Sequence, residues 1–66
     1  MLRVGLIGYG YAGKTFHAPL IRTTAGLRIT AVASSDAAKV HADLGSEVAV
    51  MAWPELVVRD DIDLVV

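Results

Sequence analysis

Gly8-Tyr9-Gly10-Tyr11-Ala12-Gly13 forms a G-x-G-x-x-G hexad, and its setting limits the fold of this chain more than any other segment does. The mostly apolar run Leu2-Arg3-Val4-Gly5-Leu6-Ile7 comes before it and a helix-like stretch comes after it. That order is strand, tight glycine turn, helix. In such a unit the first glycine permits the turn, the second lets a pyrophosphate approach the backbone, and the third lets the helix pack closely on the strand. The backbone N–H groups around Tyr11 and Ala12 would face the phosphates with the positive end of the helix dipole behind them. An anionic ligand needs no basic side chain there. The expected ligand contacts are therefore Gly8, Gly10, Tyr11, Ala12 and Gly13.

Six glycines in 66 residues can produce this spacing by chance, so the flanking pattern carries the weight. A second strand pattern, Leu27-Arg28-Ile29-Thr30-Ala31-Val32-Ala33, follows at the distance a βαβ unit requires, and its end is where the ribose of a dinucleotide belongs. Dinucleotide-binding domains that take NAD place an acid roughly twenty residues after the third glycine. Here that place falls on Ser34, with Ser35 next and Asp36 two beyond. Two hydroxyls accept either a free ribose or a 2′-phosphate, and Lys39 is the nearest cation. The cofactor is NAD or NADP, with a slight lean to NADP. Ser34 and Ser35 join the expected cofactor contacts, and Asp36 reads better as a helix cap.

The remaining pattern continues the alternation. Helix one should run from about Ala12 to Thr23, with Ala12, Phe16 and Leu20 as an inward stripe and Pro19 bending or ending it. Gly26 suits the position after its end. A second helix starts at the Ser34-Ser35-Asp36 cap, buries Ala37, Val40 and Leu44, and stops at Gly45. Val48-Ala49-Val50-Met51 is a short third strand. Trp53-Pro54-Glu55 opens a third helix, Asp60-Asp61 is a connection, and Ile62-Asp63-Leu64-Val65-Val66 reads as a fourth, buried strand. The order β-α-β-α-β-α-β predicts an α/β doubly wound parallel sheet, incomplete at its C-terminal end.

With 55% hydrophobic residues and a net charge of −1, the chain offers no basic field for nucleic acid or an anionic membrane. It has no cysteine, hence no disulfide or thiolate metal site, and no metal site is expected. No apolar run approaches the roughly 18 residues of a membrane span, and no signal peptide precedes the first strand, so the expected location is cytoplasmic. A domain usually needs about 100–150 residues, so this length suggests a piece of a larger dinucleotide-binding domain; the parent is expected to be a homo-oligomer.

Val4 to Gly13 together with Lys14-Thr15-Phe16-His17-Ala18-Pro19-Leu20 resembles the N-terminus of the Gfo/Idh/MocA oxidoreductases, including that family's His-x-Pro helix. Asp61-Ile62-Asp63-Leu64-Val65-Val66 is similar to the family's fourth strand. The resemblance spans essentially the whole chain, with its distinctive part in the first twenty residues. It implies the N-terminal part of an NAD(P)-binding Rossmann domain. The full-length parent would be a two-domain enzyme transferring hydride between NAD(P) and a sugar, polyol or related compound. The family's catalytic Glu-Lys-Pro segment and its later Asp and His lie beyond Val66, so this chain carries no catalytic residue. A non-catalytic dinucleotide-sensing module and a Rossmann-type S-adenosylmethionine-dependent methyltransferase remain alternatives.

Several residues have plainer readings. Tyr9 and Tyr11 are expected to act through their backbones, and Lys14 as a solvated side chain. His17 reads as a structural helix residue hydrogen-bonded near Pro19, and His41 as an exposed helix flank. Trp53 is expected to pack against the third helix, with adenine stacking as the lesser reading.

Overall fold

The computed structural model describes residues 1–10 and 16–66. Four parallel strands lie side by side in the order β3-β2-β1-β4, with β1 at Leu2–Ile7, β2 at Leu27–Ala33, β3 at Ala49–Met51 and β4 at Leu64–Val65. The helices between them are α1 (Ala18–Thr23), α2 (Ala37–Leu44) and α3 (Trp53–Leu56). This is the expected α/β alternation, with β1 central and β2 beside it.

β1 and β2 are mostly apolar because both faces of the sheet are covered there. On one face Val4 and Leu6 of β1, Ile29 and Val32 of β2, Ala18 and Ile21 of α1, and Val40 of α2 form the larger core. On the other, Ala31 and Ala33 of β2 meet Leu56 of α3, with Ile62 and Met51 beside them. Gly5 is what lets α3 approach: a Cβ on it would lie 2.8 Å from Leu56 Cδ2 and 3.2 Å from Ile62 Cγ2.

The face assignments of β2 do not alternate simply. Val4 pairs with Ile29 but Gly5 pairs with Ala31, so Thr30 is an extra residue in β2. This bulge moves Val32 onto the face of Ile29 and Ala31 onto the opposite one. Its hydroxyl oxygen is buried without a hydrogen-bond partner among the described residues.

Local signals set the helix ends. Asp36 caps α2 by accepting from the Lys39 N–H at 3.0 Å, and Gly45 closes that helix at φ 106°. Glu55 lies in the first turn of α3, where a negative charge suits the helix dipole.

Four expectations need correction. Pro19 lies in the first turn of α1, where its missing N–H costs nothing, and not in the helix interior. Phe16 and His17 form a wider turn leading into α1, so the helix phase buries Ala18 and Ile21 while Phe16 and Leu20 stay 59% and 66% exposed. Ala12 lies outside the described residues. Leu64, Val65 and Val66 are each more than 40% exposed, because β4 pairs on the β1 side alone and is the outermost strand. Ala37 is also exposed, leaving Val40 and the half-buried Leu44 as the inward face of α2.

Candidate functional site

The carboxyl ends of β1, β2 and β3 are laced together by backbone hydrogen bonds. Gly8 N–H donates to the Ala33 carbonyl at 2.9 Å, and Ser34 N–H donates to the Met51 carbonyl at 3.1 Å. The turn after β1, the Ser34-Ser35 loop and the Ala52-Trp53 step therefore share one edge of the sheet. In open α/β sheets ligands bind along this edge.

Gly8 and Gly10 differ in why they are glycine. Gly8 adopts φ +86°, a conformation side chains with a Cβ rarely take, so the turn itself requires it. Gly10 has no positive φ, and a Cβ there would meet nothing within 4 Å among the described residues. Neither backbone conformation nor packing in the described chain explains the absence of a side chain at Gly10. Both glycines are exposed. Tyr11, Ala12 and Gly13 lie outside the described residues, as does Lys14.

Beside this turn a cleft of about 300 Å³ is lined by Ala33, Ser34, Ser35, Ala52 and Trp53. Ser34 is half-buried and its Oγ accepts from the Asp36 N–H at 3.1 Å, an arrangement that leaves its O–H directed by whatever acceptor it meets. Ser35 is exposed. Trp53 is the first residue of α3, is 61% exposed and lines the cleft together with the two serines. Helix packing uses Leu56, three residues on, which is fully buried.

Tyr9 departs from the backbone-only expectation. Its side chain is buried in the larger core, and its hydroxyl donates to Asp43 Oδ2 at 3.0 Å. Burial pushes the phenol pKa up and the bond to Asp43 adds to the shift, so the group stays a donor. Lys39 Nζ lies 5.9 Å from the ring centroid. A larger cleft of about 510 Å³ between α1 and α2 is bordered by Tyr9, Ala18, Pro19, Arg22, Asp43 and Leu44, among others. The signal for Tyr9 lay in its residue type, since a large aromatic between two glycines has to place its ring somewhere.

The histidines have no place at the strand-end cleft. His17 is exposed at the N-cap position of α1 and its side chain makes no capping hydrogen bond there. His41 is half-buried and not on an open flank; its Nε2 lies 2.9 Å from the Val48 carbonyl and ties α2 to the start of β3. Among the described residues no group of three or more His, Asp or Glu side chains is placed to hold a metal ion. Two acidic residues near β4 are paired: Asp61 with Arg59, whose Nε donates at 2.7 Å, and Asp63 with Arg3. No helix among the described residues is long and apolar enough to cross a membrane.

Comparison with known proteins gives one consistent result. The uncharacterized oxidoreductase YdgJ of Escherichia coli K12 is 53% identical over 98% of this chain, which covers 19% of YdgJ. A crystal structure of a Klebsiella pneumoniae protein assigned as an oxidoreductase superposes with a TM-score of 0.89 at 53% identity. The Bacillus subtilis protein YvaA, also assigned as an oxidoreductase, superposes with a TM-score of 0.88 at 29% identity. In both structures the match covers 98% of this chain and 19% of the other. The chain thus spans about a fifth of the length of these relatives. The sequence profile of the oxidoreductase family with an NAD-binding Rossmann fold matches residues 2–66, and the chain belongs to this Gfo/Idh/MocA family.

Proposed function

We propose that this chain holds the adenosine and pyrophosphate portion of NAD or NADP for a larger oxidoreductase, of which residues 1–66 form the N-terminal part of the dinucleotide-binding domain. The observation that carries the reading is Gly10, exposed, without positive φ and with open space at its Cβ position. A glycine that the described fold does not need is what a close-approaching pyrophosphate needs. Gly8 sets the turn, and the N–H groups from Gly10 to Gly13 receive the phosphates. Ser34 and Ser35 meet the ribose, with Trp53 lining the same cleft.

The bound nicotinamide supplies hydride transfer, to or from a sugar, polyol or related compound. This chain contributes binding and orientation to that reaction and no acid, base or nucleophile. Two hydroxyls in place of a carboxylate remove the repulsion that a 2′-phosphate would meet, which supports a slight preference for NADP.

Titration of the intact gene product with NADH and NADPH, followed by nicotinamide fluorescence, tests the reading. Wild type should bind at least one of the two. Gly10→Ala should leave the thermal transition in place and weaken binding by about 1–3 kcal/mol, the scale of a lost or strained charge-assisted contact. Unchanged affinity in the folded variant would overturn the assignment of Gly10.

A further inference from the structure

Tyr9 occupies the variable position between Gly8 and Gly10, where a backbone-only role would accept almost any side chain. Its ring is nevertheless only 7% exposed and is gripped by α2 at two points. Lys39 Nζ lies 5.9 Å from the ring centroid, and Asp43 Oδ2 accepts the phenol hydrogen bond at 3.0 Å. These two residues are four apart on α2 and so share one helix face. From α1, Arg22 Nη1 donates to the Asp43 carbonyl at 3.3 Å.

The other end of α2 leads to the strand-end cleft. Asp36 caps the helix and directly follows Ser34 and Ser35, and its own N–H donates to Ser34 Oγ at 3.1 Å. One helix therefore connects the serine loop to the start of the glycine turn. Phenylalanine would fill the same core volume. The hydroxyl is the part that packing does not require, and burying it costs free energy unless it finds a partner.

We propose that Tyr9 is a positioning residue for dinucleotide binding: its hydroxyl, held by Asp43, fixes Gly8–Gly10 against α2 and, with the Gly8 to Ala33 backbone bond, holds them in register with the Ser34-Ser35 loop for a ligand spanning both. This rests on the dinucleotide reading above. A ligand that touches both segments depends on their spacing, whereas one that touches only the serine loop does not. The dinucleotide and ADP-ribose belong to the first kind. Adenosine, with a ribose and no phosphate, is the simple probe of the second.

Isothermal titration of the intact gene product with NADH or NADPH, ADP-ribose and adenosine distinguishes this role from a merely structural one. Tyr9→Phe should weaken the dinucleotide and ADP-ribose by about threefold to tenfold, the effect of one hydrogen bond, with adenosine within about twofold of wild type. Asp43→Asn keeps an oxygen that accepts the phenol hydrogen bond and should retain most of the wild-type affinity. Asp43→Ala should repeat the selective loss, and it provides the same test should Tyr9→Phe fold poorly. Equal weakening of all three ligands, or no weakening of any, would overturn the proposal. A wild-type protein that binds no dinucleotide removes the dinucleotide reading and this proposal with it. Wild-type binding combined with an unaffected Tyr9→Phe removes only the positioning role.

Discussion

Arg3 and Asp63 are joined through both backbone and side chain. Asp63 N–H donates to the Arg3 carbonyl at 2.8 Å, and Arg3 N–H donates to Asp63 Oδ2 at 2.8 Å. The guanidinium forks onto the same carboxylate at 3.1 and 3.2 Å. This pairing, sixty residues apart in sequence, brings β4 alongside β1 at its amino end. It also accounts for the one charged residue in an otherwise apolar β1.

The pairing makes stability depend on acid pH. The Arg3 side-chain hydrogen bonds, and then the Arg3 N–H, lower the Asp63 carboxyl from 3.8 to about 2. A depressed folded-state pKa contributes stability above the unfolded value, and that contribution is lost as pH falls through the folded one. Asp63→Asn keeps the backbone contact and loses the charge. The melting temperature of the wild type should therefore fall more steeply than that of the variant between about pH 4 and pH 2. Arg59 lowers Asp61 in the same direction, so a residual slope should remain in the variant. Identical slopes in the two proteins would exclude a role for Asp63 in acid stability.

Thr30 supplies a second test. Its buried oxygen has no partner among the described residues, and the bulge it forms does not require a hydroxyl. Thr30→Val should stabilise the protein by about 1 kcal/mol by removing an unsatisfied polar group and placing a strand-favouring side chain there. Urea unfolding measures the change; a lower midpoint at constant slope would show that the hydroxyl is satisfied in solution.

Gly5→Ala should act in the opposite direction. The added methyl would press on Leu56, which is fully buried and has little room to yield. Overpacking of this kind costs about 1–3 kcal/mol. The shorter variant Leu56→Val, combined with Gly5→Ala, should recover part of the loss. Additive destabilisation in the double variant would show that the two side chains do not compete for the same space.

Ser34→Asp probes cofactor choice. A carboxylate at this half-buried position would repel a 2′-phosphate and accept hydrogen bonds from a free ribose. The ratio of kcat/KM for NAD to that for NADP should rise by about tenfold or more in the intact gene product, corresponding to about 1–3 kcal/mol. A ratio that does not move would place the ribose away from Ser34.

Strands, turns and caps were legible in the sequence because each depends on residues a few positions apart. The apolar runs at Leu2–Ile7 and Leu27–Ala33 became strands with those bounds, Gly8, Gly26 and Gly45 stand where φ is positive, and Asp36 caps α2. The turn at Gly8 was likewise readable, since a strand followed by a glycine turn brings its own geometry.

What the tertiary structure alone decided is which side each residue presents and what it meets there. The phase of α1 buries Ala18 and Ile21 in place of Phe16 and Leu20, and the extra residue at Thr30 exchanges the faces of β2. Trp53 lines the cleft with the serines, and His41 reaches the Val48 carbonyl. Tyr9 finds Asp43, a residue 34 positions away, only once α2 has been laid across the sheet beside α1. Local propensity acts over one or two turns of chain, whereas burial and pairing depend on which elements become neighbours; the sequence states the elements, and packing assigns their partners.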